Sequence, residues 1–305
     1  MDEQKVTLRV MQVTKRYGEF TAVDDLSFAV RAGRIFGFLG PNGAGKTSTI
    51  RMIVGITAPD SGEIQLFGER VSPALQDRIG YLPEERGLYR KMRIIDQLRY
   101  FAALKNVSQK RADEQIDFWL KRVGLSDWKM KKAADLSKGM QQKIQFISAV
   151  MHEPDLIILD EPFSGLDPIN VEALQEIVLE LKAAGKTIIF STHLMETAER
   201  LCDDLVLINR SKMVLAGSLR KVKESFNRNV IALRITGGEA VLQESDLIAN
   251  IERHADEIEV LLAENADSQM LLKNLIDSGA VISKFELVEP SLNDIFIEKV
   301  QGSNA

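Results

Sequence analysis

The segment Gly40-Pro41-Asn42-Gly43-Ala44-Gly45-Lys46-Thr47 has the spacing of a phosphate-cradling loop: a glycine, four residues, then Gly-Lys-Thr. Its glycines let the backbone curl until successive N–H groups converge on an anion. Lys46 can then reach the β- and γ-phosphates of a nucleoside triphosphate, and the Thr47 hydroxyl can ligate Mg²⁺. With Ser48, these nine residues are the phosphate-binding candidates. A second group lies downstream, where the apolar run Leu156-Ile157-Ile158-Leu159 ends in Asp160 and is followed at once by Glu161. Successive strand residues point to opposite faces. Both acids can serve one nucleotide only if the chain bends as it leaves the strand. With such a bend, Asp160 would hold the metal and Glu161 would polarise a water aimed at the γ-phosphate.

These residues need elements to place them. Ile35 to Leu39 is an apolar run that reads as a buried strand, and Lys46 to Val54 is compatible with a helix whose positive end faces the loop. Ser137 can cap a helical run to Val150, which gives a second free helix N-terminus. After Pro154 the pattern alternates strand and helix over 155–160, 170–184, 186–190, 195–201 and 204–209, as in a parallel sheet. His193 follows the strand Thr187 to Phe190. Short strands fill residues 6 to 39, and the turn Pro59-Asp60-Ser61-Gly62 opens another. From Ile95 to about Gly124 the pattern is helical, with Leu98, Phe101, Ala102 and Lys105 on one stripe.

The pattern divides the chain into residues 1–222 and 223–305. The polar stretch Lys221 to Asn229 reads as a linker. Beyond it come strands at Val230–Ile235, Ile258–Leu262 and Val281–Val288, a helix at Ser268–Asp277, and a last helix capped by Ser291 with Asp294 three residues on. This composition suggests a small α/β unit of ferredoxin-like type.

The heptapeptide Leu136-Ser137-Lys138-Gly139-Met140-Gln141-Gln142 resembles the signature of ATP-binding cassette (ABC) ATPases, usually written LSGGQ. It departs at Lys138 and Met140 and keeps Ser137 and Gly139. Ser164-Gly165-Leu166-Asp167 resembles the D-loop, His193 the switch histidine, and Tyr17 the aromatic that stacks on adenine. Where the family's Q-loop carries Gln, this chain has Glu84, whose oxygen can still reach Mg²⁺ or its waters. The run Tyr81 to Tyr89 is similar to the sodium-efflux subgroup, and Glu289 to Phe296 to the C-terminal domain of ABC-2-type exporter subunits. The resemblance implies a P-loop ATPase core of mixed sheet, helical subdomain and antiparallel β subdomain. It implies ATP and Mg²⁺ as ligands, with Lys46, Glu161 and His193 catalytic and Thr47, Asp160 and Glu84 at the metal. Tyr17, Ser137, Gly139 and Asp167 would join the phosphate loop in binding nucleotide. It also implies a head-to-tail dimer of two copies and a separate transmembrane permease that holds the protein at the inner face of the membrane.

Bulk properties narrow the alternatives. Over 305 residues, 45% are hydrophobic, enough for a packed core, and 44 acidic against 39 basic residues give a net charge of −5. That balance argues against a nucleic-acid binder. The single Cys202 precludes an internal disulfide and fits a reducing compartment. The N-terminus lacks a leader signature, and no apolar run reaches the roughly 18 residues a membrane span needs. The rival reading is an ABC ATPase that regulates ribosomes or nucleic acid. Its absent features, a second cassette or a long coiled-coil insertion, favour the transporter. Cargo, permease and the role of the C-terminal unit are not encoded in any motif.

Overall fold

A computed structural model describes residues 5–85, 87–226, 230–254, 257–264 and 266–302. The chain forms two compact units, Met1–Leu219 and Arg220–Ala305.

In the first unit the elements run β1 (Val6–Tyr17), β2 (Phe20–Arg31), β3 (Ile35–Leu39), α1 (Lys46–Ile53), β4 (Ser61–Leu66), β5 (Glu69–Arg70), β6 (Ile79–Leu82), α2 (Ile94–Leu104), α3 (Gln109–Arg122), α4 (Lys138–Val150), β7 (Leu156–Asp160), α5 (Pro168–Ala183), β8 (Thr187–Thr192), α6 (Met195–Leu201), β9 (Asp204–Asn209) and β10 (Lys212–Ser218). An antiparallel sheet has the order β2-β1-β4-β5. A second sheet has the order β10-β9-β3-β8-β7-β6 and is parallel except for its β10 edge. Every residue of β3, β7 and β8 is buried, as expected of central parallel strands covered on both faces. The antiparallel sheet alternates instead, with Leu8, Val10, Val23, Leu26 and Val30 turned into the core shared with Phe36, Phe38 and Ile50. Burying each such side chain contributes about 1.5–3 kcal/mol.

Gly80 locks α4 onto β6. A Cβ at that position would lie 1.9 Å from the Ala149 carbonyl oxygen, so no larger residue allows this approach. The close contact fixes the helix that Ser137 begins.

The continuous helical stripe expected over Ile95 to Gly124 is broken. α2 ends at Leu104, Asn106 takes φ = +56°, and α3 starts at Gln109. Lys105 leaves the stripe and donates from Nζ to the carbonyl oxygens of Gln76 (2.5 Å) and Ile79 (3.1 Å). It thereby satisfies polar backbone at the entry to β6. His152 meets the same Ile79 oxygen from Nε2 at 3.1 Å, which makes Nε2 the protonated nitrogen. Burial pushes this imidazole down from 6.5 to about 4. The folded protein therefore holds His152 neutral where the unfolded chain would charge it. The stabilisation is complete above pH 6.5 and is lost as pH falls toward 4. Urea unfolding should show His152→Gln losing less stability than wild type between pH 7 and pH 5.

The second unit takes in all but the first residue of α7 (Leu219–Ser225), so most of the segment read as a polar linker is a helix; residues 227–229 lie outside the described residues. It continues with β11 (Val230–Thr236), α8 (Glu239–Glu244), β12 (Ile248–Arg253), β13 (Ile258–Leu262), α9 (Ser268–Asp277), β14 (Val281–Val288) and α10 (Leu292–Gly302). From β11 to β14 the order is βαββαβ, and the antiparallel sheet order β12-β13-β11-β14 is that of the ferredoxin-like fold. Ile231, Leu233, Val260 and Leu262 of the sheet pack with Leu242 of α8 and Leu271 and Leu275 of α9. The expected cap of the last helix forms reciprocally: Asp294 N donates to Ser291 Oγ (3.1 Å) and Ser291 N to Asp294 Oδ2 (3.2 Å).

Candidate active site

The glycine-rich loop connects β3 to α1, as its flanks require. Gly45 sits at the helix N-cap with φ = +107°, and a Cβ there would lie 2.3 Å from the Ala22 carbonyl oxygen. Only glycine permits this curl against β2. Lys46 is buried, and its Nζ donates to the Gly40 carbonyl (2.8 Å) and the Pro41 carbonyl (3.3 Å). The same Nζ lies 3.6 Å from Glu161 Oε1. That oxygen is also 3.0 Å from His193 Nδ1. Three residues separated widely in sequence thus meet at one carboxylate oxygen.

The bend that both acids require is present. Asp160 closes β7, and Glu161 takes φ = +48°, a left-handed conformation that costs a non-glycine residue about 1–3 kcal/mol. Buried Ser191 links the two acids: it accepts from Glu161 N at 3.0 Å and donates to Asp160 Oδ1. Burial raises the Asp160 carboxyl above its ordinary range, opposed by the Ser191 and Thr47 hydroxyls and reinforced by the Glu84 and Glu161 carboxylates. Asp160 Oδ2 is buried and accepts no hydrogen bond. An orphaned carboxylate oxygen near the Thr47 hydroxyl and the Glu84 carboxylate is an all-oxygen set suited to a hard divalent cation, so these residues fit Mg²⁺.

A cavity of about 430 Å³ opens above this cluster, lined by loop residues Asn42 and Lys46 to Ser48, by Phe20 and Ala22 of β2, and by Glu84 and Glu161. Tyr17 and Phe20 are exposed partners across the β1–β2 hairpin, and it is Phe20 that borders the cavity. The sequence reading named Tyr17 and missed Phe20; its exposure across the hairpin is a tertiary fact with no local signal. Ser191 was missed too, although its place two residues before His193 is a signal in retrospect.

Ser137, Gly139 and Asp167 stand apart from this cavity. Ser137 is exposed and caps α4, accepting from Met140 N at 3.3 Å. A Cβ on Gly139 would touch Leu166 Cδ2 at 3.3 Å, which places it beside the Ser164–Asp167 loop. Asp167 caps α5 through Asn170 N (3.1 Å), and those bonds hold its carboxyl below the usual range.

The first unit matches the ABC transporter family model over residues 23–164, and residues 217–300 match the C-terminal domain of DrrA1-3-like ATP-binding proteins. An ABC transporter ATP-binding protein of Bacillus subtilis (strain 168), YhaQ, is 46% identical over 96% of this chain and 98% of its own length. The chain belongs to the ABC transporter ATP-binding family. The bacitracin transport ATP-binding protein BcrA of Bacillus licheniformis is 32% identical over 97% of each chain. A solved structure of the ATP binding subunit of an ABC transporter superposes with a TM-score of 0.68 at 34% identity, covering 72% of this chain and 93% of that one. The chain is accordingly an ABC ATPase, with ATP as its substrate.

Proposed function

We propose that the chain is the ATP-hydrolysing subunit of a membrane exporter, working as a head-to-tail pair on a separate permease. One observation carries the pairing: Lys46 and Glu161 line the cavity, with His193 on the Glu161 carboxylate, while Ser137 and Gly139 present a capped helix N-terminus elsewhere on the same unit. A second copy can bring that N-terminus to the phosphates, where free N–H groups favour anions. Lys46 would leave its loop carbonyls for the β- and γ-phosphates. Thr47, Asp160 and Glu84 would hold Mg²⁺, which neutralises charge on the phosphate oxygens. Glu161 would accept a proton from the attacking water, and His193 would contact the γ-phosphate while orienting the Glu161 carboxylate. Loss of the γ-phosphate removes what joins the copies, and their separation would drive the permease.

Among the described residues no helix is long and apolar enough to cross a membrane. One surface feature supports a permease. A cavity of about 340 Å³ lies between β6 and α2, lined by Pro83, Leu88, Phe101 and Leu104. At its side Tyr89, 50% exposed, packs on Tyr100 and Phe101 at ring distances of 6.0 and 6.3 Å. Buried Gln97 holds this loop by accepting from Tyr89 N (2.8 Å) and donating to the Met92 carbonyl (3.3 Å). A short amphipathic helix of the permease suits such a cleft, and it would hold the protein at the inner membrane face. Tyr89→Asp should leave nucleotide binding intact and remove the permease from detergent-extract co-purification. Unchanged recovery of the folded variant would reject this surface. The exporter reading follows relatives such as the bacitracin transport protein. Residues 220–305 carry none of the proposed catalytic groups and are assigned an accessory role.

Ser137→Arg should bind ATP with wild-type affinity as a monomer and fail to hydrolyse it, because a bulky cation would meet the other copy's phosphate site. Parallel loss of monomer ATP affinity, measured with a fluorescent analogue, would contradict this.

A further inference from the structure

Ser191 is fully buried at the end of β8 and is directly paired with Asp160 in the parallel β7–β8 ladder. A serine hydroxyl has one proton and two lone pairs. Here the proton goes to Asp160 Oδ1, and a lone pair takes the Glu161 N–H. Two consequences follow from that division. With Oδ1 occupied, Asp160 is left with one free oxygen, the buried and unpartnered Oδ2. The buried Glu161 N–H, at the exit of β7, would be an orphan without this acceptor. The left-handed turn is what carries the Glu161 carboxylate back to Lys46 and His193.

We propose that Ser191 is a positioning residue for both acids: its hydroxyl selects the Asp160 oxygen offered to the metal and locks the turn that aims Glu161 at the attacking water. It acts through these two residues and touches neither nucleotide nor metal. The proposal rests on the roles given above to Asp160 and Glu161.

The test uses the full chain with Ser191→Ala, Ser191→Thr, Glu161→Gln and the Ser191→Ala/Glu161→Gln pair. Metal binding is read by the electron paramagnetic resonance of free Mn²⁺ in the presence of a non-hydrolysable ATP analogue. Ser191→Ala should need about tenfold more Mn²⁺ for half-saturation, the size usual for a group that orients a metal ligand. Its metal-free nucleotide affinity should stay within about twofold, and kcat should fall about 30-fold with KM for ATP nearly unchanged. Ser191→Thr keeps the hydroxyl and should restore both. In the Glu161→Gln background, Ser191→Ala should lower the residual turnover by less than about threefold while the Mn²⁺ shift persists, because the group it aims is already gone. An unchanged Mn²⁺ midpoint with unchanged kcat in Ser191→Ala overturns the proposal and leaves the roles of the acids standing. So does full additivity of the two losses. Equal collapse of metal-free nucleotide binding in the Ala and Thr variants also overturns it, by marking the hydroxyl as a packing element. Wild-type turnover in Glu161→Gln overturns the Glu161 assignment instead.

Discussion

Lys46→Ala is expected to abolish ATP turnover, by about 10³-fold or more, since a clamp on transferring phosphate charge is among the largest contributions to such catalysis. Lys46 is buried, and its ammonium is satisfied by the Gly40 and Pro41 carbonyls and the nearby Glu161 carboxylate. Truncation removes the cation without touching the glycines, so the loop should still curl. It also leaves Glu161 without its buried counter-charge beside His193. The variant should therefore bind ATP more weakly as well as fail to cleave it. Phosphate release by purified protein, with unfolding followed in parallel, checks both. Turnover within tenfold of wild type in a folded variant would remove Lys46 from the site.

Glu161→Gln should produce the second largest effect, a drop of about 10²–10⁴-fold, the range for removing a general base. The amide keeps the shape and can still meet His193, but it no longer accepts the water's proton. ATP binding, unlike in Lys46→Ala, should be preserved. The two variants thus separate charge neutralisation from water activation: one loses affinity and rate, the other rate alone.

The phosphate loop and the acid-ended strand could be read from sequence because their information is local: glycine spacing in the first and apolar continuity in the second. The bend at Glu161 was required by that reading, yet nothing in Asp160-Glu161-Pro162 specifies φ = +48°. The residue that holds the N–H at this bend, Ser191, lies on the neighbouring strand, 30 residues away in sequence. The helix break at Asn106 was hidden because α2 and α3 carry apolar residues in similar phase, and a side chain reaching β6 decides where α2 stops. In the second unit β12 escaped notice because Ile248-Ala249-Asn250-Ile251-Glu252-Arg253 does not alternate. Its pairing with β13 supplies the order its own residues lack. The helix α7 was read as a linker because a solvated helix and a linker share the same polar composition.

The central claim, a hydrolytic site shared between two copies, is tested most directly by size-exclusion chromatography of Glu161→Gln and Glu161→Gln/Ser137→Arg with ATP and Mg²⁺, measuring bound nucleotide in each peak. A shared site requires the single variant to run as an ATP-loaded dimer and the double variant as a monomer that still carries ATP. A double variant that dimerises like the single one, or a single variant that stays monomeric while saturated with ATP, would contradict it.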